Sequence, residues 1–251
     1  MPYRFATENV DYSDYSSGRV LYSAPGHPAF PVRLISEVFQ RCQAIRQKAG
    51  QSGPVTVYDP CCGSGYQLST LAYLHWAEIQ TIIGSDIDSD ILITAERNLA
   101  LLTPAGLEKR AQELTAMLKQ YGKASHATAL ESLHRFTHQQ AEYEQIHPIK
   151  THLFQADGLS MGDIEKNLKG VKVDIVLADV PYGNRSNWQA GSTDQEPLTQ
   201  MLDALLPALT VNSVVAIMAN KAQKWLHPSY QRRGRFQIGK RQIFLLQPES
   251  T

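Results

Sequence analysis

The sequence predicts an α/β protein with a doubly wound, mostly parallel sheet. Two observations lead to this fold class: short β-rich runs alternate with segments of helical periodicity, and four of these runs end at an acidic residue. Helices that connect parallel strands bring the carboxyl ends of those strands to one edge, where ligands bind. The 251 residues, 43% of them hydrophobic, suffice for one domain with a substantial core.

The order of the predicted elements follows from local patterns. An irregular lead-in over residues 1–30, with one short strand at 19–22, precedes the first apolar stripe. Helical spacing is found at 32–48, 66–76, from 88 to about 102, and 198–209. The β-rich runs lie at 55–58, 81–85, 152–155, 171–178, 213–218 and 242–246. The first four runs are followed by acids that we expect to share one crevice, namely Asp59, Asp86, Asp157 and Asp179.

We expect a single domain over residues 1–251, with an N-terminal extension at 1–50. The polar helical segment at about 104–148 is too long for an ordinary connection, so it predicts a two-helix insertion between the second and third strands. His134 and His138 in this segment have a spacing that could bind a metal. No Glu or Cys ligand pattern accompanies them, so no metal site is predicted.

Composition excludes several other classes of protein. Three cysteines, of which Cys61 and Cys62 are adjacent, cannot form a secreted disulfide framework, which indicates a reducing compartment. There is no apolar run of roughly 18 residues and no signal-peptide core. We therefore expect a soluble cytoplasmic protein with no membrane association, and we favour a monomer.

The charges are unevenly distributed although 24 basic residues balance 24 acidic ones. Between Asp203 and Glu249 there is no acidic residue, whereas the chain up to Asp203 has 17 basic and 23 acidic residues. A positive stretch of this kind could follow a phosphate backbone, or it could be a solvated surface beside acidic neighbours. Its seven basic residues are Lys221, Lys224, Arg232, Arg233, Arg235, Lys240 and Arg241.

The first motif, Asp59-Pro-Cys-Cys-Gly-Ser-Gly-Tyr66, is typical of a nucleotide-binding turn between a strand and a helix. A dehydrogenase would have a third glycine where this chain has Leu68. A carboxylate before the turn repels a diphosphate but suits a ligand with an ammonium group, such as S-adenosylmethionine. Asp86 at the end of the next strand can accept hydrogen bonds from ribose hydroxyls. No general base adjoins Cys61 or Cys62, so they are interpreted as packing residues under the ligand rather than as nucleophiles.

The second motif, Asp179-Val-Pro-Tyr-Gly183, follows the fourth strand in the same crevice. Asp179 and a carbonyl of Val180 or Pro181 could each accept one N–H of an amine conjugated to a ring, which would aim its lone pair at a methyl group. Tyr182 could stack on the base. The motif lacks the cysteine that methylation of pyrimidine C5 requires, and no basic residue accompanies the acid as ribose 2′-O methylation would require.

With both motifs in place, the sequence resembles the class I S-adenosylmethionine-dependent RNA methyltransferases, and within them the avilamycin-resistance rRNA methyltransferase family AviRa. The resemblance extends over most of the chain. It includes Ser23–Arg33, Asn98–Leu107 and the loop with Arg185 and Trp188. It implies a Rossmann-like methyltransferase fold, with added helices that help to grip RNA. The implied reaction is methylation of a guanine base in 23S rRNA, alone or in the large ribosomal subunit, with a role in orthosomycin resistance.

The predicted site residues fall into three groups. The catalytic residues are Asp179, Pro181 and Tyr182. The residues for S-adenosylmethionine are Asp59, Pro60, Cys61, Gly63, Gly65 and Tyr66 in the turn, Asp86 and Ile87 at the ribose, and Asp157 and Gly158 by the adenine. The RNA-binding residues are Arg185, Trp188, Lys221, Lys224, Arg232, Arg233 and Arg235, although Trp188 could equally pack its own loop.

Two other functions remain open. The first is an amino-methyltransferase that acts on DNA adenine or cytosine, or on a protein glutamine; Asp at 179 and Gly at 183 fit RNA guanine better. The second is a non-catalytic protein that binds S-adenosylmethionine or RNA, against which the intact acids at all four strand ends argue.

Overall fold

The computed structural model describes residues 3–180, 196–220 and 227–249. Its sheet has the order β3-β2-β1-β4-β5-β7-β6. The first five of these strands in the order are parallel, and β7 pairs antiparallel with both β5 and β6. The strands are β1 (Val55–Asp59), β2 (Ile79–Asp86), β3 (Lys150–Gln155), β4 (Val173–Asp179), β5 (Leu209–Asn220), β6 (Tyr230–Ile238) and β7 (Arg241–Pro248). The predicted doubly wound, mostly parallel sheet is confirmed.

Helices cover both faces of this sheet. The helices are α1 (Val32–Lys48), α2 (Tyr66–Leu74), α3 (Ser89–Ala100), α4 (Pro104–Tyr121), α5 (Ala124–Glu144), α6 (Met161–Leu168) and α7 (Pro197–Leu205). The first five pack into one apolar cluster, and α6 and α7 pack into a second cluster on the other face. Neighbouring strand residues alternate between the two, so Val57 belongs to the first cluster and Tyr58 to the second. Among the helices in the described ranges, none is long and apolar enough to span a membrane.

The predicted two-helix insertion is confirmed as α4 and α5. The side chain of Thr103 caps α4 by accepting a hydrogen bond from the Gly106 N–H at 3.2 Å, and Pro104 begins the helix. Gly122 ends it in the left-handed region with φ of 62°. Phe136 of α5 is buried between the rings of Tyr15 and Tyr73, at centroid distances of 5.2 and 4.5 Å. The insertion therefore packs against both the lead-in and α2.

Three elements differ from the sequence prediction. Residues 19–22 form no strand; Val20 and Leu21 are fully buried, so their apolar character reflects packing rather than a ladder. The edge strand β6 was missed because its charged, exposed residues hide the apolar alternation that identifies a strand. Helix α6 was missed because it is short, although Ser160 accepts a hydrogen bond from the Asp163 N–H and gives it a regular cap. The strand and helix predictions elsewhere agree within a few residues.

We predict that Gly106→Ala destabilises the connection between α3 and α4. A Cβ on Gly106 would lie 1.9 Å from the carbonyl oxygen of Ala100, which is backbone and cannot move aside. We expect the free energy of unfolding to fall by about 2 kcal/mol or more. The matched control is Gly162→Ala in the first turn of α6, where an added Cβ meets nothing within 4 Å.

Urea unfolding followed by circular dichroism measures both variants. The control should remain within about 1 kcal/mol of the parent, because alanine is a better helix former than glycine. Equal stabilities for the two variants would contradict the close approach of the α4 N-terminus to α3.

Candidate active site at the carboxyl edge of the sheet

The four strand-end acids meet at one crevice, as the sequence predicts. Asp59, Asp86 and Asp179 are the last residues of β1, β2 and β4, and Asp157 follows β3 by two residues. The thiol of Cys61 lies among all of them, since each of the four carboxylates raises its pKa. Burial raises that pKa further and is the larger cause. Cys61 is therefore held as a neutral thiol, which supports its interpretation as a packing residue.

Hydrogen bonds to Asp59 and Asp86 fix the turn between β1 and α2. Asp59 is 2% exposed; its Oδ1 accepts the Cys61 N–H at 3.0 Å and its Oδ2 accepts the Gln67 side-chain amide at 3.3 Å. Asp86 Oδ2 accepts the Gly63 N–H at 2.8 Å. These bonds tie the loop to the ends of two neighbouring strands, so that its backbone lies against the crevice.

The two glycines of the turn are required by its geometry. Gly63 and Gly65 have φ of 52° and 68°, in the left-handed region that disfavours other residues. A Cβ on Gly65 would come within 3.0 Å of the Cα of Ala95 in α3. The turn can therefore pack closely on α3, and Tyr66 begins α2 with its hydroxyl bonded to the carbonyl of Tyr15 at 2.6 Å.

Burial governs the pKa of Asp59. Desolvation raises it well above its ordinary value, and the negative charges of Asp179 and Asp86 raise it further, against the hydrogen bond from Cys61. Burial and the neighbouring charges thus both disfavour the ionised carboxylate, and a cation in the crevice would favour it. This electrostatic setting suits a positively charged ligand and disfavours an anionic one.

The loop after β3, which carries two of the residues predicted for the adenine, lies against the start of the turn. Gly158 lies so close to Pro60 that an added Cβ would be 3.3 Å from the Pro60 carbonyl oxygen. Asp157 Oδ1 accepts the Leu159 N–H at 2.9 Å, which holds the loop after β3. Ile87 is 40% exposed beside Asp86 and offers an apolar surface. The structure thus brings together the cofactor residues that the sequence nominates.

Asp179 is paired with an arginine that sequence reasoning did not place in the site. Arg241 at the start of β7 points its Nε to within 3.8 Å of Asp179 Oδ1, and its guanidinium lies 4.9 Å from the ring centre of Phe30. Burial raises the pKa of Asp179 to about 6, and the positive charge of Arg241 opposes that rise. Only the antiparallel pairing of β7 with β5 brings Arg241 here, and nothing in the local sequence indicates that pairing.

Six of the predicted site residues fall outside the part of the chain that the structure describes. They are Pro181, Tyr182, Arg185, Trp188, Lys221 and Lys224. The three other predicted RNA contacts are exposed on the edge strand β6. Arg233 donates to Gln247 Oε1 at 2.6 Å and Arg235 donates to Gln242 Oε1 at 2.5 Å, both on β7. With Arg232 they form a basic edge on the sheet.

Comparisons with known proteins agree on one family. The profile of the family described as rRNA methyltransferase AviRa matches residues 1–241. The 23S rRNA (guanine(2535)-N(1))-methyltransferase of Streptomyces viridochromogenes is 39% identical over 246 residues, which cover 97% of this chain and 95% of the relative. Two solved structures of rRNA methyltransferase AviRa from the same organism are 37% and 36% identical and give TM-scores of 0.86 and 0.87. Each match covers 98% of this chain and 96% of the other.

We predict that replacing Arg232 and Arg233 together by alanine weakens binding to RNA. Each phosphate contact that is lost should lower the slope of log affinity against log salt by about one unit. The measurement is a titration of a fluorescent rRNA fragment at several salt concentrations.

The control removes the same amount of charge away from β6, through Lys166→Ala in α6 combined with Lys172→Ala just before β4. An unchanged salt slope in the arginine variant would mean that the basic edge is a solvated surface and does not contact RNA.

Proposed function

Because the chain belongs to the AviRa family of rRNA methyltransferases, we propose that it transfers a methyl group from S-adenosylmethionine to a guanine base of 23S rRNA. The observation that carries this proposal is that Asp59 and Cys61 of the turn at Asp59–Tyr66 lie close enough to Asp179 for its charge to raise the pKa of both. The related enzyme from Streptomyces viridochromogenes is named for the ring nitrogen N1. We propose that this chain also methylates guanine at N1, and that this methylation gives resistance to an orthosomycin antibiotic.

The residues of the crevice fit S-adenosylmethionine. When bound, it supplies a methyl group on a positively charged sulfur, which leaves as a neutral thioether. Carboxylates dominate the described part of the crevice, and burial of Asp59 and Asp179 makes a cation more favourable there than an anion. Asp86 would hold the ribose hydroxyls, because each of its oxygens accepts one backbone N–H and retains a further lone pair.

The remaining cofactor contacts follow from shape. Gly63 and Gly65 leave the turn without side chains, so a ligand could approach its backbone closely. Ile87 and Gly158 would border the adenine, with Asp157 beside them as a hydrogen-bond acceptor. Pro60 and Cys61 would form the floor, since both lie against Gly158.

Methylation at guanine N1 makes a different demand from methylation of an amine. The nitrogen carries one hydrogen, and its lone pair is delocalised into the neighbouring carbonyl, so the proton must leave as the new bond forms. Asp179 is the proposed acceptor of that proton, and its pKa of about 6 leaves it ionised at neutral pH. Its Oδ1 is buried and, among the described residues, has no hydrogen-bond partner. The N–H bond would break toward this carboxylate while the electron pair forms the bond to the methyl carbon.

Arg241 would keep this base ionised and oriented. Burial favours the neutral form of Asp179, and the carboxyl of Asp59 on β1 is also nearby. A positive charge is therefore needed to favour the ionised form of Asp179. The guanidinium of Arg241 approaches from β7, with its Nε 3.8 Å from Asp179 Oδ1, and its positive charge attracts the carboxylate. Pro181 and Tyr182 follow Asp179 in sequence after Val180, and we propose that they hold the extruded base.

Transfer of labelled methyl groups tests the proposal. S-adenosylmethionine with a labelled methyl is incubated with 23S rRNA, with large ribosomal subunits, and with genomic DNA, using Asp179→Ala as the control. Label in 23S rRNA or in the subunit that is lost in the variant is the expected result, and reverse transcription then maps the base. Label in DNA alone would favour the amino-methyltransferase alternative. Absence of cofactor binding would overturn the enzyme proposal altogether.

We predict that kcat/KM rises with pH through an apparent pKa of about 6. Below this pH Asp179 is protonated and cannot accept the N1 proton, and above it the base is ionised. The measurement is the initial rate of methyl transfer at limiting cofactor, which reports the free enzyme, between about pH 5 and pH 8. Asp179→Asn should lower the rate by about 100-fold or more and abolish the rise of kcat/KM with pH. A parent enzyme whose rate is constant across this range would contradict the role of Asp179.

We predict that Arg241→Gln moves the rise of kcat/KM to higher pH. The positive charge of Arg241 lowers the pKa of Asp179, so its removal should raise that pKa and reduce the rate most at low pH. The rate at high pH should approach that of the parent. Lys240→Gln, which removes the neighbouring charge in the sequence, is the control and should leave the midpoint unchanged. An unshifted midpoint in the Arg241 variant would show that the ion pair has no influence on the base.

A further inference from the structure

The segment Ser23–Arg33 carries much of the sequence resemblance, yet the proposed function gives it no role. Its first part lies across the cofactor turn. The His27 ring nitrogen Nδ1 is 3.3 Å from the position that a Cβ on Gly63 would occupy. A hydrogen bond of 3.2 Å from the His27 N–H to the Ala24 carbonyl closes the local turn that presents this imidazole. His27 is exposed, so a ligand bound against the turn could reach it.

A buried asparagine fixes this segment to the cofactor turn. Asn98 of α3 is fully buried, and its amide nitrogen donates to the carbonyl of Tyr22 at 3.0 Å and to that of Ser64 at 2.9 Å. Its oxygen accepts the Tyr22 N–H at 2.7 Å. One side chain therefore holds both the residue before the segment and the middle residue of the turn. These buried hydrogen bonds hold the start of the segment against the turn.

The acids of the crevice disfavour one group of the cofactor. The sulfonium and ammonium groups suit the four acids, but the carboxylate at the methionine end would be repelled by them. The glycine amides of the turn are already engaged, since the Gly63 N–H donates to Asp86 and the Gly65 N–H donates to the Cys62 carbonyl at 2.9 Å. His27 is a side-chain donor that faces the turn at this place.

We propose that His27 donates a hydrogen bond to the methionine carboxylate of S-adenosylmethionine, and that the segment 23–30 forms the wall of the site above the cofactor turn. The far end of the segment supports this wall, because Phe30 is buried beneath the guanidinium of Arg241, next to Asp179. The segment thus borders both the cofactor turn and the proposed base. The proposal rests on the proposed function, since it assigns a contact within the same site.

The test compares two ligands that differ only in the carboxylate. Isothermal calorimetry measures binding of S-adenosylmethionine and of decarboxylated S-adenosylmethionine to the parent, to His27→Ala and to His27→Gln. A lost hydrogen bond to a charged group should weaken binding of S-adenosylmethionine to His27→Ala by roughly 10- to 100-fold. Binding of the decarboxylated ligand should be equal in all three proteins. Glutamine also carries an N–H donor, so His27→Gln should recover part of the loss.

The control His134→Ala removes an exposed histidine of α5 and should leave both affinities unchanged. Equal weakening of the two ligands by His27→Ala would overturn the proposal, because it would mean that His27 acts only through the shape of the turn. Unchanged affinities would overturn it as well. If the parent itself bound neither ligand, the proposed function would fail instead, so the two failures are distinguishable.

Discussion

The placement of four carboxyl groups at one edge of the sheet is the constraint on which the rest of the site depends. Parallel strands bring them together, and the turn after β1 buries Asp59 almost completely. Burial disfavours the charged form of a carboxyl group, which is why the pKa values of Asp59 and Asp179 are raised; for Asp59 the neighbouring negative charges of Asp179 and Asp86 raise it further. The carboxylates that repel one another in the free protein would attract the positively charged sulfur of the proposed cofactor.

The surrounding elements can be understood by how they support this edge. The lead-in is anchored at Asn98 and at Tyr66, and the insertion holds it from behind through Phe136. On the opposite flank, the antiparallel β7 brings Arg241 to Asp179, the acid that we propose as the catalytic base. A parallel β7 would have brought its carboxyl end, rather than Arg241 at its start, to this edge of the sheet. The local additions to a common sheet thus give the site its particular chemistry.

The sequence was sufficient where structure is local. The strand periodicity, the glycines of the turn and the acids after β1, β2 and β4 follow from neighbouring residues, and the structure brings them together as expected. Arg241 and His27 were missed because their roles arise from contacts between segments far apart in the chain, with no periodic signal. The basic stretch was recognised by its charge, but its arrangement as the edge strand β6 was not.

Proton exchange on cofactor binding tests this electrostatic picture most directly. Calorimetry of S-adenosylmethionine binding at about pH 6, in buffers of different ionisation enthalpy, measures the protons that are exchanged. A bound cation lowers the raised pKa values of Asp59 and Asp179, so we expect binding to release protons and its heat to vary with the buffer. Binding with the same heat in every buffer, or proton uptake, would contradict the proposal that buried acids make this crevice selective for a cation.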